Sequence, residues 1–311
     1  MDYFKIDPNN INRQTYINII HDNNSHLKSS KGIYNKLLHK KYIKTFYLDN
    51  FILNTPIDTC KTYVIYDHSL NVAEQFADHG LKNTDVKDPV IINPISNNFV
   101  NANYGLSDDI RDHYIQLRTS LYISCFDTNI DFKNNNNCIY TNIVSVIRPF
   151  NVFSTIYKQK DMFRVPIITV PFSTKLKTIN KKLFIEDLFT LCYTFECFFQ
   201  TAINMNHKIL IIPPIGIYND ELPIDDVILL LNYCIYKYGH LLSTIIIAIP
   251  QYYPSEIYEY FQKNIVDTNK IYQEAEENYY KEQYIKTANE KKTIDKISEL
   301  DKLIENQLIS K

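Results

Sequence analysis

The stretch that decides the fold is KILIIPPIGIYND, residues 208–220. A short apolar run that ends at two prolines and a glycine is typical of a strand buried on both faces of a sheet. IDDVILLLNYCIYKYG (224–239) then has the spacing of a helix that stops at a glycine, and STIIIAIP (243–250) is a second buried strand. This strand–helix–strand order predicts an α/β protein whose sheet is covered on both faces.

The alternation extends toward the N-terminus. The predicted strands are KTYVIYD (61–67), PVIINP (89–94), CIYTNIVSVI (138–147) and FRVPIITVPF (163–172). The prolines of 163–172 favour a sheet edge or a strand end. Helices are predicted from Ser69 to Gly80, over 110–125 and over 184–207.

Two flanking segments differ from this central domain, which we place at 61–265. Residues 1–60 indicate a polar, helical N-terminal extension packed on the domain. Residues 266–311 are charged, contain no Gly or Pro, and carry a narrow apolar seam of Ile294, Ile297, Ile304 and Leu308. This tail is either a solvated helix lying back on the domain or a coiled-coil helix for self-association or for a protein partner.

Composition excludes several classes of function. Lys+Arg number 33 and Asp+Glu 35, so the net charge of -2 gives no reason to expect nucleic acid or an anionic membrane as a partner. The sequence has neither a long apolar run nor the basic-then-apolar order of a signal peptide, and we expect a cytoplasmic, non-secreted protein. The many tyrosines and few glycines are typical of an AT-rich genome, as in some large DNA viruses.

No catalytic or metal-binding motif of known spacing occurs. The six cysteines form no CxxC pair, which predicts buried free thiols and no zinc site. Because the chain has only 5 glycines, a cradle of several glycines for a phosphate is excluded. His68 and His207 have no partner at catalytic or metal spacing, and we interpret them as surface or core residues.

Three positions near strand ends are candidates for chemistry, each with a plainer alternative. Asn93, at the mouth of the sheet, is a ligand contact or part of an Asn-Pro turn. Gly216 lets the backbone approach a diphosphate, or simply forms a turn. Asp108, Asp109, Asp112 and His113 offer acid–base chemistry, or form an acidic first helical turn.

Taken in order, seven segments between residues 12 and 250 resemble the microbial-type poly(ADP-ribose) glycohydrolase family of macro domains. RQTYINIIHDN is similar to the family's first helix, and YVIYDHSLNVAEQFADHG to its strand and Thr-Leu-Glu-Ala-Ala helix. PVIINP resembles the strand leading to Asn-Pro-Gly-Gly-Gly, and LRTSLY the Arg-x-Ser-x-Leu-Tyr stretch after the catalytic glutamates. The remaining three are IYTNIVSVIRPF, FRVPIITVPFST and ILIIPPIGIYNDELP.

The resemblance implies a three-layer α/β/α macro fold with a mixed sheet and an ancestral ADP-ribose site. The implied ligand-binding residues are Asn93, Ser96, Gly216, Ile217, Tyr218 and Asn219. In the family, a glutamate acts on the scissile ribosyl bond and a glycine loop admits the diphosphate. Here Ile95, Ser96 and Asn97 occupy the glycine positions. Asp112 and His113 occupy the glutamate positions, and a longer intervening segment makes Asp108 and Asp109 rival positions.

We therefore expect a degenerate macro-domain protein that lacks hydrolase activity and acts in binding or assembly. It would bind ADP-ribose or an ADP-ribosylated protein weakly, without a cofactor or a metal. Two alternatives stay open: an active ADP-ribosyl glycohydrolase with Asp112 or Asp109 as the general acid, and an assembly or host-factor-binding module that acts through the C-terminal helix.

Overall fold

The computed structural model describes residues 13–29, 43–47, 60–79, 88–96, 114–121, 137–150, 152, 154–172, 176, 178–179, 181–217 and 222–266. The strands are β1 (Ile43–Tyr47), β2 (Lys61–Ile65), β3 (Val90–Ser96), β4 (Asn137–Val146), β5 (Phe163–Phe172), β6 (Thr178–Ile179), β7 (Lys182–Leu183), β8 (Ile209–Ile212) and β9 (Thr244–Ala248). Seven of them form one mixed sheet in the order β1-β4-β5-β3-β8-β9-β2, and β6 and β7 form a separate hairpin.

Helices cover both faces of the sheet. They are α1 (Arg13–Ser29), α2 (Ser69–Glu74), α3 (Tyr114–Arg118), α4 (Ile185–Asn204), α5 (Ile224–Tyr238) and α6 (Ser255–Asn264). Because side chains alternate along a strand, Ile92 packs with α4, α5 and α6, whereas Ile91 packs with α2 and α3. The predicted three-layer α/β/α architecture is confirmed.

The five strands from β5 through β3, β8 and β9 to β2 are parallel, and β4 and β1 add an antiparallel margin. The prediction of a helical segment over 1–60 is wrong for 43–47, because β1 pairs with β4 from Ile43–Thr141 to Tyr47–Asn137. Four of its five residues are β-branched or aromatic and gain a ladder with β4 there, which local helical spacing does not reveal.

Strand β5 lies inside the sheet, between β4 and β3, so the prediction of an edge from its prolines is wrong. Pro166 sits where the pairing register of β4 shifts between Thr141 and Val144. A bulge tolerates a proline because the missing N–H has no ladder partner there. Pro171, by contrast, lies at the strand end, as predicted.

The helix predicted over 110–125 is shorter among the described residues. It runs from Tyr114 to Arg118, and Thr119 then forms a bridge with Val146 of β4. The predicted start of the second helix at Ser69 is confirmed, with His68 as its N-cap. The tail 266–311 lies outside the described residues except for Val266.

The prediction of buried free thiols is confirmed for Cys60, Cys138, Cys197 and Cys234, whereas Cys192 is a free thiol that is only partly buried. The sulfur atoms of Cys138 and Cys197 lie 3.0 Å apart between β4 and α4. None of the described helices is long and apolar enough to cross a lipid bilayer.

Candidate functional site

The candidate site lies where β3 and β8 end. These strands and β5 are parallel, so their carboxyl ends meet at one edge of the sheet. Pairing between β3 and β8 stops at Ile91, although β3 continues to Ser96. Ligands of open α/β sheets bind in crevices beyond such strand ends.

Asn93 is a buried residue of β3, two positions beyond the last residue of β3 that pairs with β8. It is 1% exposed, and its Nδ2 donates to Thr169 Oγ1 of β5 at 3.4 Å. Its Oδ1 is buried and accepts no hydrogen bond from the part of the chain that the structure describes. A buried acceptor in this condition costs about 1–3 kcal/mol, which a ligand donor would recover.

The backbone after Asn93 is a paired strand. Pro94, Ile95 and Ser96 lie in register opposite Val170, Pro171 and Phe172 of β5. The side chain of Ile95 is only 3% exposed. Two of the three positions that the family resemblance gives to glycines, Ile95 and Ser96, therefore belong to the sheet, and the Ile95 side chain fills interior volume. The third, Asn97, lies outside the described residues.

Gly216 turns the chain four residues after β8. Its φ of 66° is left-handed, a conformation that favours glycine. Its carbonyl oxygen accepts from the Leu222 N–H at 3.1 Å. Tyr218 and Asn219 fall between these two residues in the sequence. Those two residues lie outside the described part of the chain, and Ile217 packs into the core on the α4 side.

The candidate acids Asp108, Asp109 and Asp112, with His113, also lie outside the described residues. The first residue after them, Tyr114, begins α3 and is buried. Its ring centroid lies 4.7 Å from that of His68, and its hydroxyl donates to the Phe150 carbonyl.

Arg118, the arginine of the LRTSLY segment, is a buried cation. It is 0% exposed, donates from Nη1 to Asn71 Oδ1 at 2.9 Å and from Nε to the Arg148 carbonyl at 3.3 Å, and lies near the rings of Tyr114 and Phe150. Burial lowers its pKa, and the same burial raises the pKa of Tyr114. Only the Arg-x-Ser-x-Leu-Tyr resemblance marked this position.

His68 sits beside this cation and stays neutral. Burial and then the charge of Arg118 lower its pKa well below the ordinary histidine value. Its Nδ1 accepts from the Leu70 N–H at 3.2 Å, so it caps α2. Of the two interpretations given for His68, a surface or a core residue, the structure supports the core one, because His68 is 3% exposed.

His207 is also buried, but it has a polar partner at the opposite, amino-terminal edge of the sheet. Its Nδ1 lies 3.6 Å from Asp88 Oδ1, and its Nε2 lies 3.0 Å from the Tyr140 hydroxyl. Burial raises the pKa of Asp88, but hydrogen bonds from His207 and from the Lys208 and Ile209 N–H groups outweigh this and leave it lowered. Because Asp88 is far from His207 in sequence, spacing could not reveal this pair.

Metal ligands are not grouped in the described ranges: no three His, Cys, Asp or Glu side chains there converge on a point that could hold an ion. What the described edge offers is an amide oxygen, a left-handed glycine backbone and apolar walls. This arrangement can bind a ligand with hydrogen-bond donors, and its described residues bring no charge toward one.

Comparison with known proteins gives structural matches only. No family model and no curated protein sequence matches this chain. The poly(ADP-ribose) glycohydrolase (PARG) from Thermomonospora curvata superimposes with a TM-score of 0.61, at 13% identity, over 80% of this chain and 99% of that one. The same enzyme bound to the inhibitor ADP-HPD gives 0.60, at 13% identity over 80% and 98%.

A point mutant of the poly(ADP-ribose) glycohydrolase from Deinococcus radiodurans, in complex with ADP-ribose, gives a TM-score of 0.57 at 13% identity, over 72% of this chain and 94% of that one. Identity at this level carries the architecture and not the chemistry. The three-layer topology, the order of the seven segments and the nearly complete coverage of the matched enzymes all point to the same fold. The chain has the fold of the microbial poly(ADP-ribose) glycohydrolases.

Proposed function

We propose that this chain is a non-hydrolysing binding protein on a glycohydrolase fold, and that the β3–β8 edge engages an ADP-ribosyl group weakly. The observation that carries the proposal is the strand through Ile95 and Ser96. Where the family resemblance requires a glycine loop for a diphosphate, these residues pair with β5 and the Ile95 side chain is buried.

Two features support retained binding. Asn93, in β3, keeps a buried acceptor, and Gly216 keeps a left-handed turn after the neighbouring strand β8. The matched enzymes have been crystallised with ADP-ribose and with ADP-HPD, which makes an ADP-ribosyl group the first ligand class to test. Weak affinity is expected because each charged oxygen left without a donor costs about 1–3 kcal/mol.

Titration calorimetry with ADP-ribose tests the site. We expect a dissociation constant weaker than about ten micromolar, since several missing donors shift affinity by decades. Gly216→Ala should weaken the binding further, because alanine resists a positive φ. Gly239→Ala is the matched control, since Gly239 has helical angles and an added Cβ would meet only ordinary contacts at 3.7 Å or more. Tight binding that Gly216→Ala abolishes would contradict the weak site.

Incubation with a poly(ADP-ribosyl)ated protein at high enzyme concentration tests the absence of hydrolysis. We expect no release of ADP-ribose, because Asp112 is shorter than the glutamate of the resemblance and the diphosphate loop is filled. Release that disappears in Asp112→Ala or Asp109→Ala would instead establish the active alternative and name its general acid.

A further inference from the structure

Two cysteines face each other between strand β4 and helix α4. The Sγ atoms of Cys138 and Cys197 lie 3.0 Å apart, although the two residues are 59 positions apart in the sequence. Their side chains are 0% and 1% exposed, and both are in the thiol form, not part of a disulfide. A disulfide bond holds its sulfur atoms about 2.04 Å apart. The two sulfur atoms therefore need to approach by only about 1 Å to form one.

The elements that carry the two cysteines hold them in place. Cys138 lies within β4 and pairs in register with Phe46 of β1. Cys197 lies inside the 20-residue helix α4, where its carbonyl oxygen accepts from Thr201 Oγ1 at 2.7 Å. Both side chains belong to the same buried apolar cluster. Because the pair is positioned by a paired strand and a long helix, we expect side-chain rotation to close the remaining gap.

Burial decides how the pair can react. It raises the pKa of the Cys138 thiol well above its ordinary value, and the hydrogen bond with Cys197 raises this pKa further. Because thiol–disulfide exchange requires a thiolate, the folded protein should react slowly. A bond formed during folding is in turn shielded, because the same burial excludes an attacking thiolate. The site therefore favours a lasting crosslink over a rapid switch.

We propose that Cys138 and Cys197 form a disulfide that fastens β4 to α4 when the chain folds in the presence of a small-molecule disulfide. The thiolate of one cysteine attacks the small disulfide, which leaves a mixed disulfide and releases one thiolate. The thiolate of the second cysteine then attacks the protein sulfur of that mixed disulfide and displaces the other thiolate. Two protein thiols are thereby oxidised to one disulfide. The small disulfide is reduced to two thiols, which take up both protons.

The bond closes a long segment of the chain, which contains β5, β6, β7 and more than half of α4. A crosslink between residues so far apart in the sequence restricts the unfolded chain and so stabilises the folded state. We therefore expect the oxidised protein to unfold at a temperature at least about 4 °C above that of the reduced protein.

Peptide mapping of the full-length protein tests the bond. The reduced chain is unfolded in urea, refolded by dilution into oxidised glutathione, alkylated and digested without a reductant. Refolding gives the reagent access to both thiols, so the slow reaction of the folded protein does not hide the bond. Chymotrypsin cleaves after aromatic residues such as Tyr193, and this separates Cys192 from Cys197.

We expect the peptide that contains Cys138 to be linked to the peptide that contains Cys197, with the loss of two hydrogen atoms. Alkylated thiols at both positions would overturn the proposal. Glutathione adducts alone, or links of these cysteines to other cysteines instead of to each other, would overturn it as well. These outcomes are independent of ADP-ribose binding, so they leave the proposed function untouched.

Thermal unfolding of oxidised and reduced samples gives a second readout. Cys138→Ala and Cys197→Ala should each abolish the difference in unfolding temperature between the two samples. Cys60→Ala is the matched control, because it removes another cysteine that is 0% exposed, and it should keep the difference. Each comparison is made within one variant, so a loss of packing affects both samples alike. A difference that persists in Cys197→Ala, or its absence in the wild type, would contradict the crosslink.

Discussion

Arg118 and Arg148 are two neighbouring buried cations, and they differ in the groups that balance their charge. Arg148 donates to Asn23 Oδ1 and pairs with Asp22 of α1, and it also donates to the Val152 and Ser154 carbonyls. Arg118 donates to two neutral acceptors, Asn71 Oδ1 and the Arg148 carbonyl, and its Nη2 has no hydrogen-bond partner among the residues that the structure describes. Burial lowers the pKa of neighbouring His68, and the charge of Arg118 lowers it further.

The Asp88–His207 pair predicts a pH dependence of stability. Asp88→Asn removes the anion that faces His207 and should lower the free energy of unfolding at neutral pH. Because the folded-state pKa of Asp88 lies below its ordinary value of 3.8, its contribution is complete above that value and is lost as pH falls through the lower, folded-state pKa.

Urea unfolding of the wild type and Asp88→Asn between about pH 2 and pH 7 measures this difference. The two curves should be separated at neutral pH and should converge at the acid end. The exposed Asp78→Asn is the control and should follow the wild type throughout. Curves that diverge as the pH falls would contradict the sign.

At the scale of elements, helix α4 carries three phenylalanine side chains that pack against one another in the core. Phe198 is 0% exposed, and its ring centroid lies 5.2 Å from those of both Phe195 and Phe199. Phe198→Ala should cost about 3–5 kcal/mol of unfolding free energy, because a cavity remains in the packed layer.

Chemical denaturation of Phe198→Ala can be compared with Phe184→Ala, at the N-cap of the same helix and 40% exposed. The control should cost less than about 1 kcal/mol. Equal losses for the two variants would mean that α4 contributes through its local helical structure more than through its buried face.

The same elements indicate what sequence reasoning reaches. Strands β3, β5, β8 and β9 and the long helices were predictable because their apolar residues are continuous or have helical spacing. Strand β1 was not, because its stability comes from pairing with β4 almost a hundred residues later. The prolines of β5 misled for a similar reason: the bulge that accommodates Pro166 lies in the partner strand.

For the candidate site, the sequence located the strand ends but not their surroundings. Asn93 and Gly216 followed from strand-end position and resemblance. The burial of Ile95 and the partners of His207 and Arg118 depend on contacts between residues that are far apart in the sequence. No local sequence pattern indicates such contacts. The acids at 109 and 112 remain predictions.

At the scale of the whole molecule, the N-terminal segment is a structural part of the sheet. β1 covers the outer edge of β4, and α1 supplies Asn23 and Asp22 to the buried Arg148. Deleting residues 1–47 should expose a strand edge and leave Arg148 without these partners, with a loss of about 3–5 kcal/mol.

Size-exclusion chromatography and thermal unfolding of the 48–311 chain measure this effect. We expect aggregates and a lower unfolding midpoint, whereas a chain that ends at Val266 keeps both sheet edges and should stay dispersed. A monomeric, equally stable 48–311 chain would show that the extension is dispensable.

The sheet order also has a consequence for protein synthesis. Among the described strands, β2 is the outermost on its side of the sheet and pairs with β9 alone, from Lys61–Thr244 to Ile65–Ala248. At about 5–20 residues per second, a ribosome needs on the order of ten to forty seconds to make the chain between them. Throughout that interval, β2 of the nascent chain lacks the strand with which it pairs. The sheet can be completed only after β9 has been translated.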